Sequence, residues 1–271
     1  MKRTVNARLF FVFLLGIFAA SCESGPDYNE LYRMEKQYWE PDDYLNAIYK
    51  ISATAPGSKK PCYSVPETAP VFAKLVNIQN VSVIVEDEAL GVAHRSEFAE
   101  KMFDHSRDMV QEYSVINRED KYEYPQEFID VLRFHFYTQM HYFDLGNQNI
   151  LKQADDPKDA EGTIKSNEQI LVNNFAMYLD FAGNEDAFTP DALQSYIDLL
   201  NEYFPPVIAK YPNANYGGMK EKATNMLNKT KSDSMKAALT DLIAKIDANT
   251  AKVEADKAAA AAAADSAAVA P

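Results

Sequence analysis

The chain is short of the residue types on which most chemistry-bearing motifs depend. Among its 271 residues are two cysteines, Cys22 and Cys62, so no disulfide framework or cysteine-rich zinc site holds it together. Nine glycines are few for the tight backbone approaches of nucleotide sites. No glycine-rich phosphate loop follows a strand, and no Gly-x-Ser-x-Gly elbow occurs. The four histidines, His94, His105, His135 and His141, lack the i, i+4 spacing of a helical zinc site. The apolar run Leu9–Ala20 is about a dozen residues, below the roughly 20 that a membrane-spanning helix needs. These shortages leave no catalytic residue, cofactor or metal ligand to name, and a non-enzymatic protein is the expectation.

Acidic residues are plentiful but placed for other work. Asp42/Asp43, Glu86/Asp87/Glu88, Asp155/Asp156 and Glu185/Asp186 are neighbours in sequence at helix ends, where capping and solvation account for them. General acid–base chemistry asks instead for two carboxyls whose surroundings push their pKa values apart in one cleft. The stretch Asp155–Gly162 has oxygens enough for calcium but not the spacing of an EF-hand loop. Ser–His and Cys–His pairs meet in space, so the sequence neither offers nor excludes them.

What the chain does carry is an address. Lys2, Arg3 and Arg8 precede the apolar run, and Ala19-Ala20-Ser21 leads directly into Cys22. A positive start, a short apolar core and small residues before a cut are the requirements of a secretory signal. With the cysteine in that place, the segment resembles a bacterial lipoprotein signal of the signal peptidase II type. The resemblance implies removal of residues 1–21, diacylglycerol on the Cys22 thiol and acylation (palmitate) of the new amino terminus. Two or more acyl chains hold a protein on a bilayer stably, where one does so only marginally. Glu23 after the cysteine points, by the enterobacterial sorting pattern, to the outer membrane, and Glu23 with Asp27 also resembles a Bacteroidota surface-export signal. An ordinary secretory signal cut near Ser21 and an uncleaved anchor are the alternatives.

Removing residues 1–21 takes away three basic and no acidic residues, which leaves 24 against 40 and a net charge of −16. Such a body repels nucleic acid and anionic lipid headgroups. Its membrane contact is therefore expected through acyl chains on Cys22 alone, and its partner in the envelope is expected to be a protein.

Beyond a polar tether at 22–30, apolar spacing is helical almost throughout, and residues 31–249 read as one mainly α-helical domain. The expectation is an irregular bundle of about six to eight helices with one short extended segment near 80–86, where Val81, Val83 and Val85 alternate. Pro41, Pro125 and Thr189-Pro190 mark helix starts, Ser96 reads as an N-cap, Ser232 opens the last amphipathic helix, and Pro205-Pro206 reads as a kink or an end. The helix after Pro125 is apolar on most sides and is expected at the centre. Residues 250–271, with the unbroken alanine run Ala258–Ala264, read as a low-complexity tail that frays from about Ala255. Tyr211-Pro212-Asn213-Ala214-Asn215-Tyr216 resembles a junction between tetratricopeptide units, though no 34-residue period runs through the chain.

Fifteen Phe and sixteen Tyr are a heavy aromatic load. As core filling they suit an accessory or scaffold protein that docks an envelope partner through a helical surface. As a pocket lining around Phe134, Tyr137 and Tyr142 they suit a binder of a small apolar ligand. An enzyme of unknown class is the third reading.

Overall fold

The structure, a computed structural model, describes residues 27–268 with Pro56 apart, and side chains as far as residue 263. The signal segment, Cys22 and most of the tether lie outside the described residues. Among the described residues, nine α-helices of seven residues or more follow a single turn, α1 (Tyr28–Leu31). They are α2 (Pro41–Ser52), α3 (Ala69–Leu75), α4 (Gln79–Val85), α5 (Val92–Tyr113), α6 (Pro125–Gln153), α7 (Pro157–Tyr178), α8 (Pro190–Lys210), α9 (Gly217–Leu227) and α10 (Asp233–Ala268). A 3-10 stretch, Leu179–Ala187, joins α7 to α8. The described residues contain no strand, only one isolated bridge between Ile116 and Tyr122.

Helix α6 is the axis of the bundle. Val131, Leu132, Phe134 and Phe136, which point to different sides, are all fully buried. It packs most extensively on α5, and also on α7 and α8, while α2 and α4 lie against α5 and α10 covers α8 and α9. Rings interlock around it: Phe136 meets Phe175 at 4.8 Å and Tyr178 at 5.0 Å, and Phe128 meets Phe181 edge-on at 4.9 Å. Offset and edge-to-face pairs of this kind add to the burial energy of the rings. No helix among the described residues is long and apolar enough to cross a membrane.

Local chemistry explains most of the helix starts. Pro125 and Pro190 sit at first positions, where a missing N–H costs nothing. Asp156 accepts from the Lys158 N–H at 2.9 Å, Thr189 from the Ala192 N–H at 3.3 Å, and Ser232 from the Met235 N–H at 3.2 Å.

Four expectations change. Residues 80–86 are not extended: Val81 and Val85 are buried one helical turn apart in α4, while Val83 is 37 % exposed. A spacing of four satisfies both periods, and packing against α5 decides for helix. With α3 and α4 both helical, the architecture is the mainly α-helical bundle expected, with nine helices of seven residues or more among the described residues against about six to eight. Helix α5 starts at Val92 after Gly91, so Ser96 lies inside it. Pro205 and Pro206 stand within α8, which continues to Lys210. They therefore do not end the helix: the carbonyls they leave without an i+4 donor belong to Asn201 and Glu202, both exposed residues, while Phe204, Val207 and Ile208 stay buried. Last, the alanine run does not break from the body but continues α10 to Ala268, as alanine's helix propensity favours.

Candidate functional site

A cleft of about 520 Å³ opens where the chain enters α2 and meets α4 and α5. Its volume falls in the range of small-molecule sites. Tyr38 to Asp42 form one wall, Asn80, Val83 and Ile84 of α4 a second, and His94, Glu97, Phe98 and Lys101 of α5 the third.

The first wall is held from behind by hydrogen bonds. Trp39, the one tryptophan, is 1 % exposed, and its backbone N–H donates to Asn80 Oδ1 at 3.0 Å. Its indole N–H donates to the Arg33 carbonyl at 3.2 Å. Its ring meets Tyr44 edge-on at 5.6 Å, and Tyr44 stacks in turn on Phe134 of α6. Asn80 spends its amide donors on the Tyr44 hydroxyl and the Lys74 carbonyl, both at 2.8 Å. Buried amides are kept only when satisfied in this way.

Helix α2 is fixed at its first turn. Asp43 accepts from the Glu40 N–H at 3.0 Å, from Lys36 Nζ at 2.7 Å and from Arg33 Nη1 at 2.9 Å. Burial alone raises a carboxyl pKa; here the lysine, the backbone N–H and the arginine outweigh it, and Asp43 titrates below its ordinary value. Asp43 thus belongs to the scaffold, whereas its neighbour Asp42 is exposed on the cleft rim and has no ion pair within 4 Å among the described residues. On α5, Lys101 Nζ lies 2.8 Å from Glu97 Oε1 across one turn.

The aromatic region of Phe134, Tyr137 and Tyr142 lies elsewhere, and ring fills ring there. Tyr142 stacks on Phe103 at 5.0 Å, Phe134 is fully buried against Tyr44, and the Tyr137 hydroxyl donates to Glu86 at 2.7 Å.

A Ser–His pair does meet in space, inside the bundle. Ser106 Oγ is 2.8 Å from His135 Nδ1, and the Tyr178 hydroxyl bonds the other ring nitrogen. Thr138 donates to the His135 carbonyl at 2.9 Å and touches Ser106 at 2.8 Å. Ser106 and Thr138 are fully buried and His135 is 1 % exposed. Burial, aided by the charge of Arg107, pushes the imidazole down to about 3. A neutral ring accepting from Tyr178 and donating to Ser106 satisfies every group, and no substrate reaches it. The chain is a core fastening between α5, α6 and α7 rather than a nucleophile and base.

The remaining residues singled out by the sequence are dispersed. His94 is exposed on the cleft rim, while His105 and His141 are half-buried, His141 beside Glu86 at 3.9 Å. Cys62 is buried and free. Among the described residues no three His, Cys, Asp or Glu side chains converge as metal ligands would. Cys22 lies outside the described residues. The cleft itself escaped sequence reasoning, because its walls come from three segments whose only shared signal is an aromatic followed by acids at Trp39–Asp43. Comparison with known protein families, with characterised proteins and with solved structures gives no match.

Proposed function

We propose that this chain is a lipid-anchored protein of the cell envelope, held at the outer membrane by acyl chains on Cys22, in which a helical body docks an envelope protein in a non-enzymatic accessory role. The observation that carries the docking role is a row on the outer side of α2. Leu45 is 58 % exposed and Tyr49 74 % exposed, and they share a face with Asp42 and Ser52 by helical spacing. Ser52 donates to Glu112 of α5 at 2.6 Å, so the row runs along the seam between these helices. A large aromatic and a leucine side by side on an acidic surface suit the apolar centre and polar rim of a protein interface. The anchor supports the same reading. Helix α1 begins six positions after Cys22, a reach of roughly 20 Å in extended chain, so acylation keeps the body close to one bilayer.

Two measurements test it. Labelled fatty acid is expected on the wild-type chain, and Cys22→Ala is expected to lose the label and release the body from membranes. A photo-crosslinker at Tyr49 is expected to capture one stoichiometric envelope protein, and one at Thr163 on α7 none. No adduct at Tyr49 in a correctly acylated protein removes the docking role.

A second reading, a lipoprotein that binds a small ligand, is favoured by the cleft beside Trp39, which has the volume and the mixed lining of such sites.

A further inference from the structure

We infer that the cleft between the Trp39 segment, α4 and α5 takes a small organic cation: an ammonium group carried on an aromatic or aliphatic body. The inference rests on the second reading above, that the cleft is a ligand site, and is independent of the anchor and of docking.

The apolar part of the ligand has a defined place. Val83 and Ile84 of α4 and Phe98 of α5 face the cleft, and Trp39 also lines it. Charge is divided unevenly around this floor. Three carboxylates line the cleft, those of Glu40, Asp42 and Glu97, against the single lysine Lys101 and the imidazole of His94. Glu97 is spent on Lys101 at 2.8 Å, and Glu40 faces Lys36 at 3.4 Å. Asp42 is the carboxylate with no ion-pair or hydrogen-bond partner among the described residues; its charge reaches Lys101 and His105 only through space. The helix does not need it as a cap, because Asp43 already accepts the Glu40 N–H. A carboxylate outside any ion pair at the mouth of an apolar cleft, on a rim of three carboxylates to one lysine, selects for positive charge and against negative charge, since a bound anion faces a net negative rim with its hydration partly removed. Selection by sign is further favoured by the acidity of the whole body.

The single tryptophan makes the test direct, because Trp39 emission reports on its own cleft. The purified full-length chain would be titrated with phenethylammonium, and in parallel with phenethyl alcohol and phenylacetate. These probes share ring size and differ in charge. The expected result is saturable change in emission with the ammonium compound, at least about tenfold weaker binding of the alcohol, and weaker still of the carboxylate. Asp42→Asn is expected to remove the tenfold preference and leave the alcohol's affinity unchanged. Val83→Arg, at an exposed position, is expected to abolish binding of all three. Equal affinity for amine and alcohol, or an unchanged preference in Asp42→Asn, overturns the cation inference while the ligand reading stands. No saturable change with any probe overturns both.

Discussion

Asn80 and Tyr44, 36 residues apart in the chain, meet at 2.8 Å, with the Asn80 amide donating to a hydroxyl that itself donates to the Leu75 carbonyl at 2.9 Å. The same asparagine holds the Trp39 N–H and the Lys74 carbonyl. One side chain thus ties the entry to α2 to the ends of α3 and α4. Asn80→Ala leaves buried partners unpaired and opens a void, and is expected to lower stability by about 3 kcal/mol. Urea unfolding measures this. A loss below about 1 kcal/mol would mean that the cleft wall stands without the hub.

How far the sequence foretold this arrangement differs from element to element. Thr189-Pro190 and Asp156-Pro157 state helix starts in a few adjacent residues, because caps and first-turn prolines are local physics. The all-round apolar pattern after Pro125 likewise places α6 at the centre. The α4 segment misleads because the spacing of Val81 and Val85 fits both periods, and only α5 chooses between them. As an end signal Pro205-Pro206 misleads, because the cost of two missing N–H groups is set by what surrounds them, and here the residues whose carbonyls lose a donor, Asn201 and Glu202, are exposed. The cleft is hardest of all. Trp39, Asn80 and Phe98 carry no mutual signal along the chain, and Asp42 separates from Asp43 in role only when their partners are known.

His135 sets a pH dependence. Its ordinary value is 6.5, and burial pushes it down to about 3. Between those values the unfolded chain binds a proton that the folded chain refuses, so stability falls as pH drops below about 6.5 and is fully present above it. His105 and His141 are lowered too, chiefly by burial, and add to the same window. His135→Asn is expected to be less stable than wild type at pH 7, because Tyr178 loses its acceptor. The difference is expected to shrink by about 2 kcal/mol between pH 7 and pH 5, since the variant has one such proton fewer. Unfolding midpoints at the two pH values measure it, and a constant difference would place the protonation elsewhere.

The end of α10 is expected to be dispensable for the fold. The last core residue of the helix is Ile246, and Asn249 donates to the Pro212 carbonyl at 2.9 Å. From Glu254 to Ala263 every side chain is exposed. Ending the chain after Lys257 is therefore expected to change stability by less than about 0.5 kcal/mol, with helicity by circular dichroism reduced in proportion to the residues removed. A larger loss of stability would show that the alanine run packs on the body.

Gln139 on α6 offers the opposite kind of test, a substitution that stabilises. Its side chain is fully buried, yet neither amide atom has a hydrogen-bond partner. Desolvating a polar group without repayment costs about 1–3 kcal/mol, and replacing it by an apolar group of the same shape removes that cost. Methionine matches glutamine in length and flexibility and adapts to irregular spaces in a core. Gln139→Met is expected to raise stability by about 1–2 kcal/mol and to shift the thermal midpoint upward by a few degrees for a domain of this size. His135, one helical turn away, satisfies its own hydrogen bonds through Ser106 and Tyr178 and is expected to be undisturbed, so the acid sensitivity described above should persist in the variant. A loss of stability in Gln139→Met, measured by scanning calorimetry, would mean that the amide does repay its burial.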